Sequence, residues 1–145
     1  MDAPVDDPGP GRLTAPDTPG PGDLLRVEVT VPLAGEAAFA LLTGGAVLTV
    51  EPEGGGRWGL SGAASLGAVT LWEPPTRLRL SWEGVDGHSV VDVRVAEVDD
   101  DLTTVIVEHR GLHHHDPGER AWLRGDDGWW SVLRAYAAAA REASA

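Results

Sequence analysis

The sequence predicts an α+β domain in which an antiparallel β-sheet is covered on one face by a long C-terminal helix. Three observations carry this. Apolar and polar residues alternate with period two in successive short segments between Leu25 and His109. Turn-forming residues separate those segments, so that neighbouring strands read as hairpins with one wet face and one covered face. After Asp116 the spacing becomes helical, with Trp122, Trp129, Leu133, Tyr136 and Ala140 on one side.

The first strand is Leu25 to Val31, with Leu25, Val27, Val29 and Val31 facing the core and Arg26, Glu28 and Thr30 facing solvent. Pro32 ends it. Gly35 to Thr43, centred on Phe39, is a short helix stopped by Gly44-Gly45. Ala46 to Glu51 is the second strand and Gly54-Gly55-Gly56 a turn. Arg57 to Leu60 begins the third strand, with Trp58 and Leu60 on one face, and Gly67 to Glu73 is the fourth, stopped by Pro74-Pro75.

Arg77 to Glu83 is the fifth strand, with Leu78, Leu80 and Trp82 inward. Asp86-Gly87 is a hairpin signal, because Gly supplies the positive φ such turns require. Ser89 to Val98 is the sixth strand, with Val91, Val93 and Val95 inward and Asp92 and Arg94 outward. Asp99 to Asp101 makes the next turn, and Leu102 to His109 is the seventh strand.

The covering helix runs from about Pro117 to Ala143. Asp116 is an N-cap acid, Pro117 stands at the first helical position and Glu119 at the third, close to a capping box. Gly125 and Gly128 weaken the middle by about 1 kcal/mol each relative to Ala. They mark either a break, with Asp126 capping a second helix, or a close approach to the sheet or a ligand.

The chain has 145 residues, one domain's worth. Residues 1–22 hold six prolines and four glycines and no aromatic residue, and read as a disordered, mildly acidic tail before a folded domain over 23–145. There is no cysteine, no apolar run long enough to cross a bilayer and no secretory signal pattern, which fits a cytoplasmic protein. All 11 basic residues are arginine, and the net charge of -12 makes nucleic acid and anionic membrane poor partners.

Several motifs in order carry a family resemblance. They are Val29-x-Val31-Pro32 before the Phe39 helix, then Gly54-Gly55-Gly56-Arg57-Trp58, then Gly67-x-Val69 followed by Pro74-Pro75-x-Arg77-Leu78-x-Leu80-Ser81-Trp82. Thr104-x-Ile106-x-Glu108-His109-x-Gly111-Leu112 and Gly128-Trp129-x-x-Val132-Leu133 complete the series. Over residues 25–143 the chain resembles the START-like (SRPBCC) superfamily, in the branch of homologues of the activator of heat-shock-protein-90 ATPase. The resemblance implies a helix-grip fold, a curved antiparallel sheet of about six to seven strands wrapped on the terminal helix. It departs from that branch between Thr43 and Glu53, where a second short helix is usual and this sequence reads as strand.

The residues themselves point to a binding module. The leading expectation is non-catalytic binding of a hydrophobic or aromatic small molecule between helix and sheet. Trp122, Trp129, Leu133 and Tyr136 would line it from the helix, and Val27, Val29, Trp58, Leu80, Trp82, Val93, Val107 and His109 from the sheet. His109 and Tyr136 are the polar anchors of that reading, and the bland alternative is ordinary core packing of the six tryptophans.

No catalytic set, cofactor or metal is expected. The run His113 to His115 with Asp116 reads as a solvated loop, with a zinc site as the alternative. No buried acid pair appears, and Ser61, Ser65, Ser81 and Ser89 lack the strand-to-helix setting of a nucleophile elbow. The resemblance supplies two other readings. One is a chaperone-interaction module acting through the sheet surface on a protein partner. The other is an enzyme of the polyketide cyclase or dehydratase kind, which His109 alone keeps open.

Overall fold

The computed structural model describes residues 24–45, 47–51, 56–60 and 65–144. The expected tail over 1–22, and Gly54-Gly55 of the expected glycine turn, lie outside them. The strands are β1 (Leu24–Val31), β2 (Leu48–Val50), β3 (Arg57–Leu60), β4 (Gly67–Glu73), β5 (Arg77–Glu83), β6 (His88–Asp99) and β7 (Leu102–Arg110). The helices are α1 (Gly35–Thr43), α2 (Pro117–Arg124) and α3 (Trp129–Ser144), with a single 3₁₀ turn at Leu112–His114.

The seven strands form one antiparallel sheet in the order β1-β7-β6-β5-β4-β3-β2. The first strand therefore lies beside the last, and α1 carries the chain from one edge to the other. The register aligns the inward residues in rows across the sheet. One row is Val27, Val107, Val93 and Leu78, and the next is Leu25, His109, Val91, Leu80 and Val69. Leu133, Tyr136 and Ala140 of α3 are buried in the same core. Each fully buried aliphatic side chain in such rows contributes about 1.5–3 kcal/mol. This is the sheet covered by a C-terminal helix that the period-two pattern predicts, curved as the family resemblance implies.

The outer face carries a charge ladder. Asp92 accepts from Arg79 Nε at 2.9 Å and lies 3.9 Å from both Arg77 and Arg110. Glu108 lies 3.2 to 3.5 Å from Arg26, Arg94 and Arg110. Asp92 is outward by parity, as expected, yet only 8% exposed, because the arginine side chains cover it.

The terminal helical segment is in two pieces. Residues 125–128 separate α2 from α3, and the close approach responsible is at Gly128. A Cβ there would stand 2.3 Å from the Trp122 carbonyl oxygen and 2.6 Å from Leu123 Cα. Gly128 also supplies the carbonyl that accepts from Val132 N–H at 3.2 Å, so α3 starts from it. Asp126, the cap in one of the two readings of this segment, offers its carbonyl to Arg134. No helix among the described residues is long and apolar enough to cross a membrane.

Candidate functional site

The turn after β7 builds the site. Gly111 sits in the left-handed region at φ 85°, which reverses the chain, and a Cβ there would press on Ser89 Cα at 3.3 Å. The following 3₁₀ turn buries Leu112 and drops His115 beneath itself, 1% exposed. This corrects the expectation of a solvated histidine run. His115 parts from the other two: the His113 and His114 rings lie 4.0 Å apart, with His113 exposed and His114 reaching Asp86 at 3.0 Å, whereas His115 enters the core. Among the described residues no group of three or more His, Cys, Asp or Glu side chains is placed to hold a metal ion.

His115 completes a buried polar chain. Ser89 Oγ lies 2.6 Å from His109 Nε2 and 2.6 Å from His115 Nε2. Trp129 Nε1 lies 3.0 Å from His109 Nδ1, and His115 Nδ1 lies 3.1 Å from Glu119 Oε1. Indole N–H can only donate, so His109 Nδ1 accepts and its proton sits on Nε2. That proton is given to Ser89 Oγ; the serine hydroxyl has two acceptors in reach, the Trp82 carbonyl at 3.4 Å and, where His115 is protonated on Nδ1 alone, His115 Nε2 at 2.6 Å, and the shorter is the better placed. The His115 proton is then on Nδ1 and is donated to the Glu119 carboxylate. Every donor in the chain points the same way, from Trp129 in the core to Glu119 at the surface.

Local sequence explains each position. Ser89 shares inward parity with Val91 and Val93 and pairs with Trp82 on β5. The Trp82 ring stacks on His109 at 5.3 Å and meets Trp58, His115 and Trp129 edge-on. Asp116 accepts from Glu119 N–H at 2.8 Å, which is the expected N-cap of α2. The Glu119 side chain does not return to the cap as a full capping box would; it turns to His115. Arg120 donates to the His115 carbonyl at 2.6 Å and pins the same turn.

Beside this chain is a pocket of about 580 Å³ lined by Leu60, Leu66, Trp82, His115, Asp116, Gly118, Glu119, Trp122 and Leu123. It sits under the first turns of α2, against Leu60 of β3 and Trp82 of β5. Trp122 is 42% exposed at its rim.

Of the twelve residues expected to line a cavity, Trp82 and Trp122 border this pocket. Val27, Trp58, Leu80, Val93, Val107, Trp129, Leu133 and Tyr136 are at most 2% exposed and belong to the core, and Val29 packs against it half-buried. His109 is fully buried within the polar chain. Tyr136 donates its hydroxyl to the Ala38 carbonyl of α1 at 2.8 Å, and burial holds its phenol far above the usual tyrosine range. The polar groups that reach the pocket are instead His115, Asp116 and Glu119.

No protein-family model and no curated protein matches the chain. Solved structures do. CalU16 from Micromonospora echinospora is 22% identical with a TM-score of 0.60, covering 77% of this chain and 72% of that one. Protein MLL2253 from Mesorhizobium loti is 20% identical with a TM-score of 0.61, covering 78% and 93%. PFC0360w, an HSP90 activator from Plasmodium falciparum, is 20% identical with a TM-score of 0.50, covering 64% and 74%. At these identities the likeness is one of fold, the helix-grip arrangement described above.

Proposed function

We propose that the protein binds a hydrophobic or aromatic small molecule, without catalysis, in the pocket under α2. The observation that carries this is a built apolar recess of about 580 Å³ with leucine and tryptophan walls and a hydrogen-bonded polar edge. Ligand sites of this size are usually apolar with a few fixed polar groups. Apolar surface moved from water into such a recess contributes about 25 cal/mol per Å², before the costs of association. The polar chain behind the wall fixes the His115 and Glu119 side chains, so little ordering is left to the moment of binding.

A titration with the neutral fluorescent probe N-phenyl-1-naphthylamine tests this. Saturable enhancement is expected, with affinity reduced severalfold in Trp122→Ala while the melting temperature stays within about 2 °C, since this ring is largely exposed. No saturable signal, or unchanged affinity in the variant, counts against the reading.

A second reading is favoured by the arginine-studded outer face of the sheet and by the fold shared with an HSP90 activator. On this reading the protein is an interaction module for a chaperone or other protein. Arg26, Arg77, Arg79, Arg94 and Arg110 outnumber the carboxylates they surround, so that face would meet an acidic partner surface. A partner retained by the wild type and lost when Arg79 and Arg94 are both changed to serine would favour it.

A further inference from the structure

We propose that the pocket under α2 selects an apolar body carrying a protonated amine and rejects the matching carboxylate; this rests on reading the pocket as a ligand site. Among the described residues the ionisable acids in its wall are Asp116 and Glu119, and no arginine lines it. The chain has no lysine at all.

The proton order of the buried chain sharpens this. Among the described lining residues His115 is the one side chain that can carry positive charge, yet both its ring nitrogens are engaged, one with Ser89 and one with Glu119, and the indoles of Trp82 and Trp122 offer an anion only neutral donors. It has no N–H left for a ligand. The Glu119 carboxylate accepts from His115 through Oε1. Asp116 accepts likewise, from the Glu119 amide. The edge of the pocket therefore presents acceptors carrying negative charge.

An ammonium group gains there twice. It pairs with Glu119, and it lies among the rings of Trp82 and Trp122, where a cation over an aromatic face is stabilised. A carboxylate would have to leave water and approach two like charges, which costs affinity. The net charge of -12 acts in the same direction at longer range. Glu119 and Asp116 are both exposed, so solvent screens the pairing and the preference is about tenfold rather than thousandfold.

The test is isothermal titration of the full chain at pH 7 with three ligands of one body: 2-(1-naphthyl)ethylamine, 2-(1-naphthyl)ethanol and 3-(1-naphthyl)propionate. The amine is expected to bind about tenfold tighter than the alcohol, and the carboxylate at least about tenfold weaker than the alcohol. In Glu119→Gln, which keeps an acceptor for His115, the ratio of amine to alcohol affinity falls to about three or less. Asp116→Asn, which keeps the N-cap, lowers the same ratio and serves if the first variant is poorly folded. Alcohol or carboxylate binding as tightly as the amine overturns the charge preference and leaves the pocket as a ligand site. Binding of none of the three overturns both.

Discussion

Ser89 and His115 lie 26 positions apart in sequence and 2.6 Å apart in space, joined by one hydrogen bond of the buried polar chain. Trp129 starts that chain by donating to His109, and the order passes through Ser89 to His115 and Glu119. The cluster also ties three elements together, since Ser89 is on β6, His109 on β7 and Trp129 on α3.

The histidine protonation pattern is directly observable. Nitrogen NMR near pH 8 is expected to show His109 with its proton on Nε2 and His115 with its proton on Nδ1. In Trp129→Phe the donor that fixes His109 is gone, and a mixture of tautomers should appear. The opposite pair of tautomers in the wild type would contradict the proton order.

Ser89→Ala removes both the acceptor for His109 and the donor for His115 in a fully buried place. Leaving such groups without their partner costs about 1–3 kcal/mol each, so a loss of about 2–4 kcal/mol in denaturant unfolding is expected. A change below about 0.5 kcal/mol would mean that the cluster does not hold the layers together.

Tyr136 gives a pH dependence. It is the chain's single tyrosine, so phenolate absorbance reports this group alone. Its folded pKa is raised by burial, above the unfolded value of 10.0. Below the unfolded value both states keep the proton and stability is unaffected. Above it the unfolded chain ionises first, so stability falls by about 1.4 kcal/mol per pH unit until the folded value is reached. Tyr136→Phe should abolish that alkaline slope. An unchanged slope in the variant would assign it elsewhere.

Asp92 and Glu28 are both outward carboxylates of the sheet, but they differ in setting. Asp92 is covered by three arginines, whereas the Glu28 side chain is 47% exposed beside Arg26. Asp92→Asn is expected to cost about 1–3 kcal/mol, because buried ion pairs are costly to break, and Glu28→Gln less than about 0.5. Chemical denaturation of both variants checks the contrast, and equal effects would remove the distinction.

Much of the fold was legible in the sequence because strand and helix periods are local. Parity placed Val91, Val93 and Val95 inward, where they are buried, and Asp116, Pro117 and Glu119 marked the start of α2 correctly. The break at Gly128 was open to two readings, since a glycine reports that a side chain is not tolerated but not which neighbour forbids it. The site was less legible. Ser89 carried a signal, being a polar residue on inward parity, but nothing local in the sequence shows that two histidines meet it there. His115 carried none. Its burial follows from the reversal at Gly111, and a run of three histidines looks equally polar throughout. The ten expected lining residues that do not border the pocket have the right parity for a cavity, but parity cannot say whether facing side chains leave space or fill it.

The central claim is tested most directly by isotope-edited NMR on methyl-labelled protein with 2-(1-naphthyl)ethylamine. Binding under α2 requires contacts from the naphthyl protons to the methyls of Leu60, Leu66 and Leu123, with none to Leu133 or Val107. Contacts to Leu133 and Val107 instead, or none to any methyl at saturating ligand, would contradict it.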